Sequence, residues 1–183
     1  IDIDVESYHF LKEKYPQLGD RLINGDFLKL DLQTVFPGKF AIIGNFPYNI
    51  SSQILFKILE HRNQVVEMVG MLQKEVAERC ASKEGSKEYG ILSVLIQAYY
   101  DIEYLFTVKP GTFNPPPKVN SGVIRLTRNA TVELPCDEKL FWRTVKGGFN
   151  QRRKTLRNAL SGTISKDRMD DHPFFDKRAE QLS

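Results

Sequence analysis

An apolar run, Phe40-Ala41-Ile42-Ile43-Gly44, passes directly into Asn45-Phe46-Pro47-Tyr48-Asn49-Ile50-Ser51. Beyond it, Ile50, Ile54, Leu55, Ile58 and Leu59 recur at helical spacing to about Arg62. A β-branched run, a proline turn and a 3.6-residue stripe read as a strand handing over to a helix. Such a unit is the building block of an α/β sheet. In open sheets of that class, ligands bind at the carboxyl ends of strands, where Asn45 to Ser51 falls.

The rest of the chain repeats the alternation. Ile1 to Asp4 reads as a short strand, Val5 to Tyr15 as a helix stopped by Pro16, and Arg21 to Asn24 as a second short strand. Asp31 to Lys39 connects to the central unit. Val65 to Leu72 is a buried strand, Gln73 to Ala81 a helix, Ser82 to Tyr89 a polar loop and Ile91 to Ala98 a buried helix. Tyr99 to Val108 and Gly122 to Thr127 form a strand pair whose connection is too short for a crossover helix, so an antiparallel edge is expected. Asn129 to Asp137 is a linker, and the pattern is helical from Glu138 onward. The expected division is therefore an α/β domain over 1–128, a linker over 129–137 and a small helical domain over 138–183.

The Asn-Phe-Pro-Tyr turn has a specific chemical use. The exocyclic amine of adenine is a poor nucleophile because its lone pair is delocalised into the ring. An enzyme that alkylates it can accept the amine hydrogens on an Asn amide oxygen and a Pro carbonyl, and can stack the base on Tyr. Asn45, Pro47 and Tyr48 supply those groups. The same residues also serve as a plain turn with Asn49 or Ser51 capping the helix.

A second stretch, Phe113-Asn114-Pro115-Pro116-Pro117-Lys118-Val119-Asn120-Ser121, is stiffened by its prolines and holds Phe113 in place. A third, Phe149-Asn150-Gln151-Arg152-Arg153-Lys154-Thr155-Leu156-Arg157-Asn158, is basic: from Arg143 to Arg157 there are six Lys/Arg and no Asp or Glu. Arg152, Arg153, Lys154 and Arg157 suit phosphates, although packing at a domain interface also uses arginines.

Composition narrows the classes. With 183 residues, 41% hydrophobic and 27% charged, the chain suits one sizeable core. No apolar run reaches a membrane span and no signal peptide opens the chain, so the expected location is the cytoplasm. Cys80 and Cys136 have no second Cys or His at metal-ligand spacing, and no metal site is expected.

Taken together, in this order and spacing, the three blocks resemble the ribosomal RNA adenine N6-dimethyltransferases, specifically the small-subunit (KsgA) type, over nearly the whole chain. The resemblance implies a class I (Rossmann-like) S-adenosylmethionine-dependent methyltransferase domain with a small C-terminal helical domain. It places Tyr48 and Phe113 on opposite faces of the target adenine. It assigns Asp26, in Gly25-Asp26-Phe27-Leu28, to the cofactor adenine, and Asp2 to its ribose, where the family usually has the longer Glu. Asn45 belongs to both sites. The basic block, with Lys118 beside the active site, docks on RNA of the small (30S) subunit, and the enzyme is expected to act as a monomer.

The family's glycine-rich cofactor loop is absent from the residues after Ile1. An N-terminal segment is therefore expected to be missing, leaving strand edges unpaired and cofactor binding weak. Two other readings share much of the pattern: a non-catalytic ribosome-assembly factor, and the Erm-type large-subunit enzymes. The Phe149 to Asn158 block favours the small-subunit branch over Erm. It also has no place in a DNA adenine methyltransferase.

Overall fold

A computed structural model describes residues 1–170 and 172–182. The sheet has four strands in the order β1-β2-β4-β3. These are β1 (Phe40–Asn45), β2 (Val65–Gln73), β3 (Tyr100–Val108) and β4 (Ser121–Arg128). β1 and β2 are parallel, while β4 runs antiparallel to both β2 and β3.

Helix α3 (Ser51–Glu60) makes the β1–β2 crossover, and α4 (Lys74–Ala81) and α5 (Ile91–Gln97) carry the chain from β2 to β3. The expected stripe drives this arrangement. Ile54, Leu55, Ile58 and Leu59 are buried and join Met68, Leu72, Leu95, Ile96, Tyr99, Tyr100, Ile124 and Leu126 in one core. Each such Leu or Ile contributes about 1.5–3 kcal/mol through burial. Cys80 lies in the same core, where burial pushes its thiol up to about 12; Cys136 is exposed.

The hairpin forms the expected antiparallel edge, but its strand order was not foreseen. β4, the antiparallel strand, is inserted between β2 and β3, and β3 takes the edge. Burial explains the choice: Val123, Ile124 and Leu126 of β4 are buried, whereas β3 carries exposed Asp101 and Glu103, which suit a strand that must resist pairing with another chain.

The two short N-terminal strands are also not formed. Ile1 to Asp4 and Arg21 to Asn24 meet only in one parallel bridge between Asp2 and Asn24, and neither joins the four-stranded sheet. The intervening helix α1 (Val5–Lys14) forms as expected, capped by Asp4, but buries none of its residues. Short of a second ladder partner, two four-residue segments do not propagate into strands. β1 is thus an edge strand in the described residues, with Ile43 86% exposed.

After a short helix α2 (Leu32–Val35), the chain enters β1; after β4 it runs through residues 129–137 into α6 (Glu138–Asn150), whose N-cap is Asp137. Phe141, Trp142 and Val145 of α6 pack against the main core. Leu156, Leu160, Met169, Phe175 and Ala179 form a separate cluster around α7 (Leu156–Ala159) and α8 (Lys166–Asp170). α6 therefore spans both units, and Arg62, at the end of α3, donates to Glu138 at 2.7 Å to fasten its first turn.

Candidate active site

The carboxyl end of β1 is held at a fixed height by an aromatic wedge. Phe46, 8% exposed, donates its N–H to Met71 O at 3.1 Å and lays its ring across the paired glycines Gly44 and Gly70. A Cβ on Gly70 would lie 2.4 Å from that ring, and one on Gly44 would lie 2.6 Å from it. The turn can sit this low only because both neighbours lack side chains. Gly70→Ala is expected to cost roughly 1–3 kcal/mol and to lower methyl transfer, read as a drop in the chemical denaturation midpoint together with initial rate.

From this wedge the motif residues fan out into one cleft. Asn45, Phe46, Pro47, Tyr48, Phe113, Pro115 and Pro117 line a hollow of about 320 Å³, at the small end of single-ligand sites. Tyr48 and Phe113 are both half-buried, and Asn45 is exposed at its mouth with no side-chain hydrogen bond among the described residues. Phe113 reaches the cleft from the proline loop, in which the Asn114–Pro115 peptide is cis. Two motif blocks separated by more than sixty residues thus share one wall.

One expected role moves. Pro47 O accepts from Ile50 N–H at 3.2 Å and from the Ser51 hydroxyl at 3.0 Å, which start the following helix. Both of its lone pairs are occupied. The Phe46 carbonyl receives no donor among the described residues, so it, not that of Pro47, is the backbone acceptor available beside Asn45. The proline's contribution is the fixed φ that sends the chain from strand to helix.

Of the expected cofactor residues, Asn45 lines this cleft, while Asp2 and Asp26 lie in the N-terminal segment. The Asp2–Asn24 bridge brings Asp2 into the same N-terminal turn region as Asp26. Asp2 Oδ1 accepts from Asp4 N–H at 2.9 Å, and Asp26 Oδ1 from Leu28 N–H at 2.9 Å. The second oxygen of Asp2 has no partner among the described residues, and that of Asp26 faces Lys29 Nζ at 3.8 Å. Half-buried Phe27 and Leu28 offer apolar cover for a ring. Two carboxylate acceptors beside apolar cover fit the hydroxyls, amine and ring of a nucleoside.

Lys57 was not foreseen as part of that region. It is 8% exposed and donates to Leu28 O at 2.8 Å and Leu30 O at 2.5 Å, with the Phe27 ring centroid 5.8 Å away. A buried ammonium requires such acceptors. Here it pins the Asp26–Leu30 turn to α3. The available signal was a lysine at the flank of an otherwise apolar helix stripe. Lys57→Met is expected to cost about 1–3 kcal/mol and to raise hydrogen exchange across residues 26–30, with weaker S-adenosylmethionine affinity by calorimetry.

The basic residues are sorted by their contacts. Arg153 and Lys154 are exposed and have no carboxylate partner among the described residues. Lys118 is exposed on the proline loop. Arg152 is half-buried and donates to Ser86 O at 3.3 Å, tying the turn after α6 to the loop after α4. Arg157 is ion-paired with Asp170 and, at 3.1 Å, with Asp176. Its guanidinium is committed to holding the C-terminal cluster together, and it leaves the set of open phosphate ligands. A second hollow, between Arg62, Glu133 and Glu138, lies at the opposite end of the strands and contains none of the motif residues.

The family described as ribosomal RNA adenine dimethylase matches residues 1–177. The chain belongs to that family. It is 64% identical over its whole length to the ribosomal RNA small subunit methyltransferase A of Cytophaga hutchinsonii, covering 71% of that protein. Identity to the Parabacteroides distasonis protein of the same name is 59%, covering 69% of it.

Among solved structures, a dimethyladenosine transferase from Plasmodium falciparum superposes with a TM-score of 0.77 at 25% identity, over 99% of this chain and 75% of that one. The 23S rRNA methyltransferase ErmE superposes with a TM-score of 0.67 at 24% identity, over 98% and 76%, and shares the fold. The α/β unit is a Rossmann-like methyltransferase domain, and the family is one of S-adenosylmethionine-dependent enzymes.

Proposed function

We propose that the cleft between Tyr48 and Phe113 holds an extruded adenine of small-subunit ribosomal RNA, and that the chain dimethylates the N6 amines of adjacent adenosines in a 3'-terminal hairpin. The observation that carries this is the convergence of Asn45, Phe46, Tyr48 and Phe113 on one hollow. The relatives' shared name as small-subunit enzymes supports the choice of subunit.

S-adenosylmethionine supplies an electrophilic methyl group. Asn45 Oδ1 and Phe46 O accept the two amine hydrogens, which localises the nitrogen lone pair and aims it out of the ring plane. Tyr48 and Phe113 hold the base by its two faces. The alkylated nitrogen becomes acidic and gives its proton to water, so no strong general base is required. Positioning and electrostatics supply most of the rate. Asp26 and Asp2, with Phe27 and Leu28, receive the nucleoside part of the cofactor.

Arg153 and Lys154, presented by the helical unit from Glu138, and Lys118, on the proline loop, contact phosphates of the RNA, with Arg152 tying that unit to the loop after α4. We place this activity in the cytoplasm, on the 30S subunit, with the chain acting as a monomer. No helix among the described residues is long and apolar enough to cross a membrane.

The test is methyl transfer from labelled S-adenosylmethionine to isolated small and large subunits, with this chain and with the chain extended to the length of its relatives. Label on small-subunit adenines supports the reading. Tight subunit binding without label in either form replaces it with an assembly role.

A further inference from the structure

Tyr48 is not held by its ring alone. Its hydroxyl lies 2.5 Å from the Ser121 hydroxyl, and either oxygen can donate. Ser121 is fully buried, and its backbone pairs with Gln73 of β2 on one side and Val108 of β3 on the other. Directly before it, Asn120 O accepts from Lys74 N–H at 3.0 Å, which ties the strand start to α4. Ser121 is therefore among the most rigidly placed residues near the cleft. It also closes the proline loop on which Phe113 rides, so both aromatic walls are referenced to the same end of β4.

We propose that Ser121 is a positioning residue for methyl transfer: it anchors the Tyr48 hydroxyl, sets the tilt of the Tyr48 ring, and thereby fixes its spacing from Phe113. The assignment rests on the adenine-binding reading of the cleft. It carries a definite chemical consequence. With its hydroxyl bonded to the buried Ser121, Tyr48 serves the reaction through the flat face of its ring. A free Tyr side chain has two torsions to settle; the anchor removes that freedom before the base arrives.

The experiment is a double-mutant cycle in the full-length protein with Tyr48→Phe, Ser121→Ala and their combination, plus Ser121→Thr to return a hydroxyl. Single-turnover methyl transfer is read beside RNA affinity, S-adenosylmethionine affinity and thermal unfolding. Each single change is expected to slow transfer roughly tenfold with both affinities unchanged, the double variant to be no slower than either single one, and Ser121→Thr to recover most of the rate.

A second readout does not depend on turnover: quenching of 2-aminopurine placed at the target position of a hairpin RNA. It should weaken equally in both single variants and in the double. Losses that multiply in the double variant, or a Tyr48→Phe protein indistinguishable from wild type while Ser121→Ala is slow, overturn the anchor. Absence of transfer in the unmodified protein, with quenching still governed by the Ser121–Tyr48 pair, overturns the enzymatic reading and leaves the anchor standing.

Discussion

Asn45→Ala is expected to lower methyl transfer by roughly 10²–10³-fold or more, the range for removing one preorganised electrostatic partner, while RNA affinity stays nearly intact. The side chain is exposed at the end of β1 and makes no hydrogen bond among the described residues. Removing it opens no cavity and strands no buried group, so stability should stay within about 0.5 kcal/mol. Affinity for RNA is dominated by phosphate contacts, which lie elsewhere. Single-turnover rates set beside equilibrium binding separate the two quantities. Parallel loss of rate and affinity would remove Asn45 from the chemistry.

The second large effect concerns the basic turn after α6. Replacing Arg153 and Lys154 together by Ala should weaken RNA binding by roughly tenfold per charge and make the plot of log affinity against log salt shallower by about 1–2. Neither residue has an acidic partner to release among the described residues, so the change reads the RNA contact. Arg157 provides the contrast. Its two aspartates make it structural, and Arg157→Ala should lower thermal stability without altering the salt slope. A slope unchanged by the Arg153 and Lys154 pair would show that the RNA runs over another surface.

How far the sequence reached depends on what kind of information each feature needs. β1, β2, α3 and α5 were legible because each is an apolar pattern of local period, and their boundaries fell within about two residues of expectation. The placement of β4 inside the sheet was not, since order among strands is set by which faces are buried, and Val123 and Asp101 say this only in three dimensions. Ile1 to Asp4 shows the complementary error: a strand-like run without a ladder partner yields a single bridge.

Within the site, Asn45 and Tyr48 were singled out by residue type and Phe113 by the family resemblance, and the structure gathers the three at one cleft. The occupied Pro47 carbonyl, the Ser121 anchor and the Lys57 tether depend on contacts across 4, 73 and 29 residues. Arg157 resembled its neighbours in composition and differed only in the company it keeps.

The glycine floor beneath Phe46 bears on how this protein can vary. Every amino-acid substitution of a glycine adds at least one carbon atom, and at Gly70 or Gly44 that carbon meets the wedge ring. A one-step substitution at either position has no smaller residue to fall back on. Random variation can therefore explore these two sites only through a simultaneous change at Phe46. A library that randomises all three positions and selects for activity should return glycine twice wherever the aromatic ring is kept.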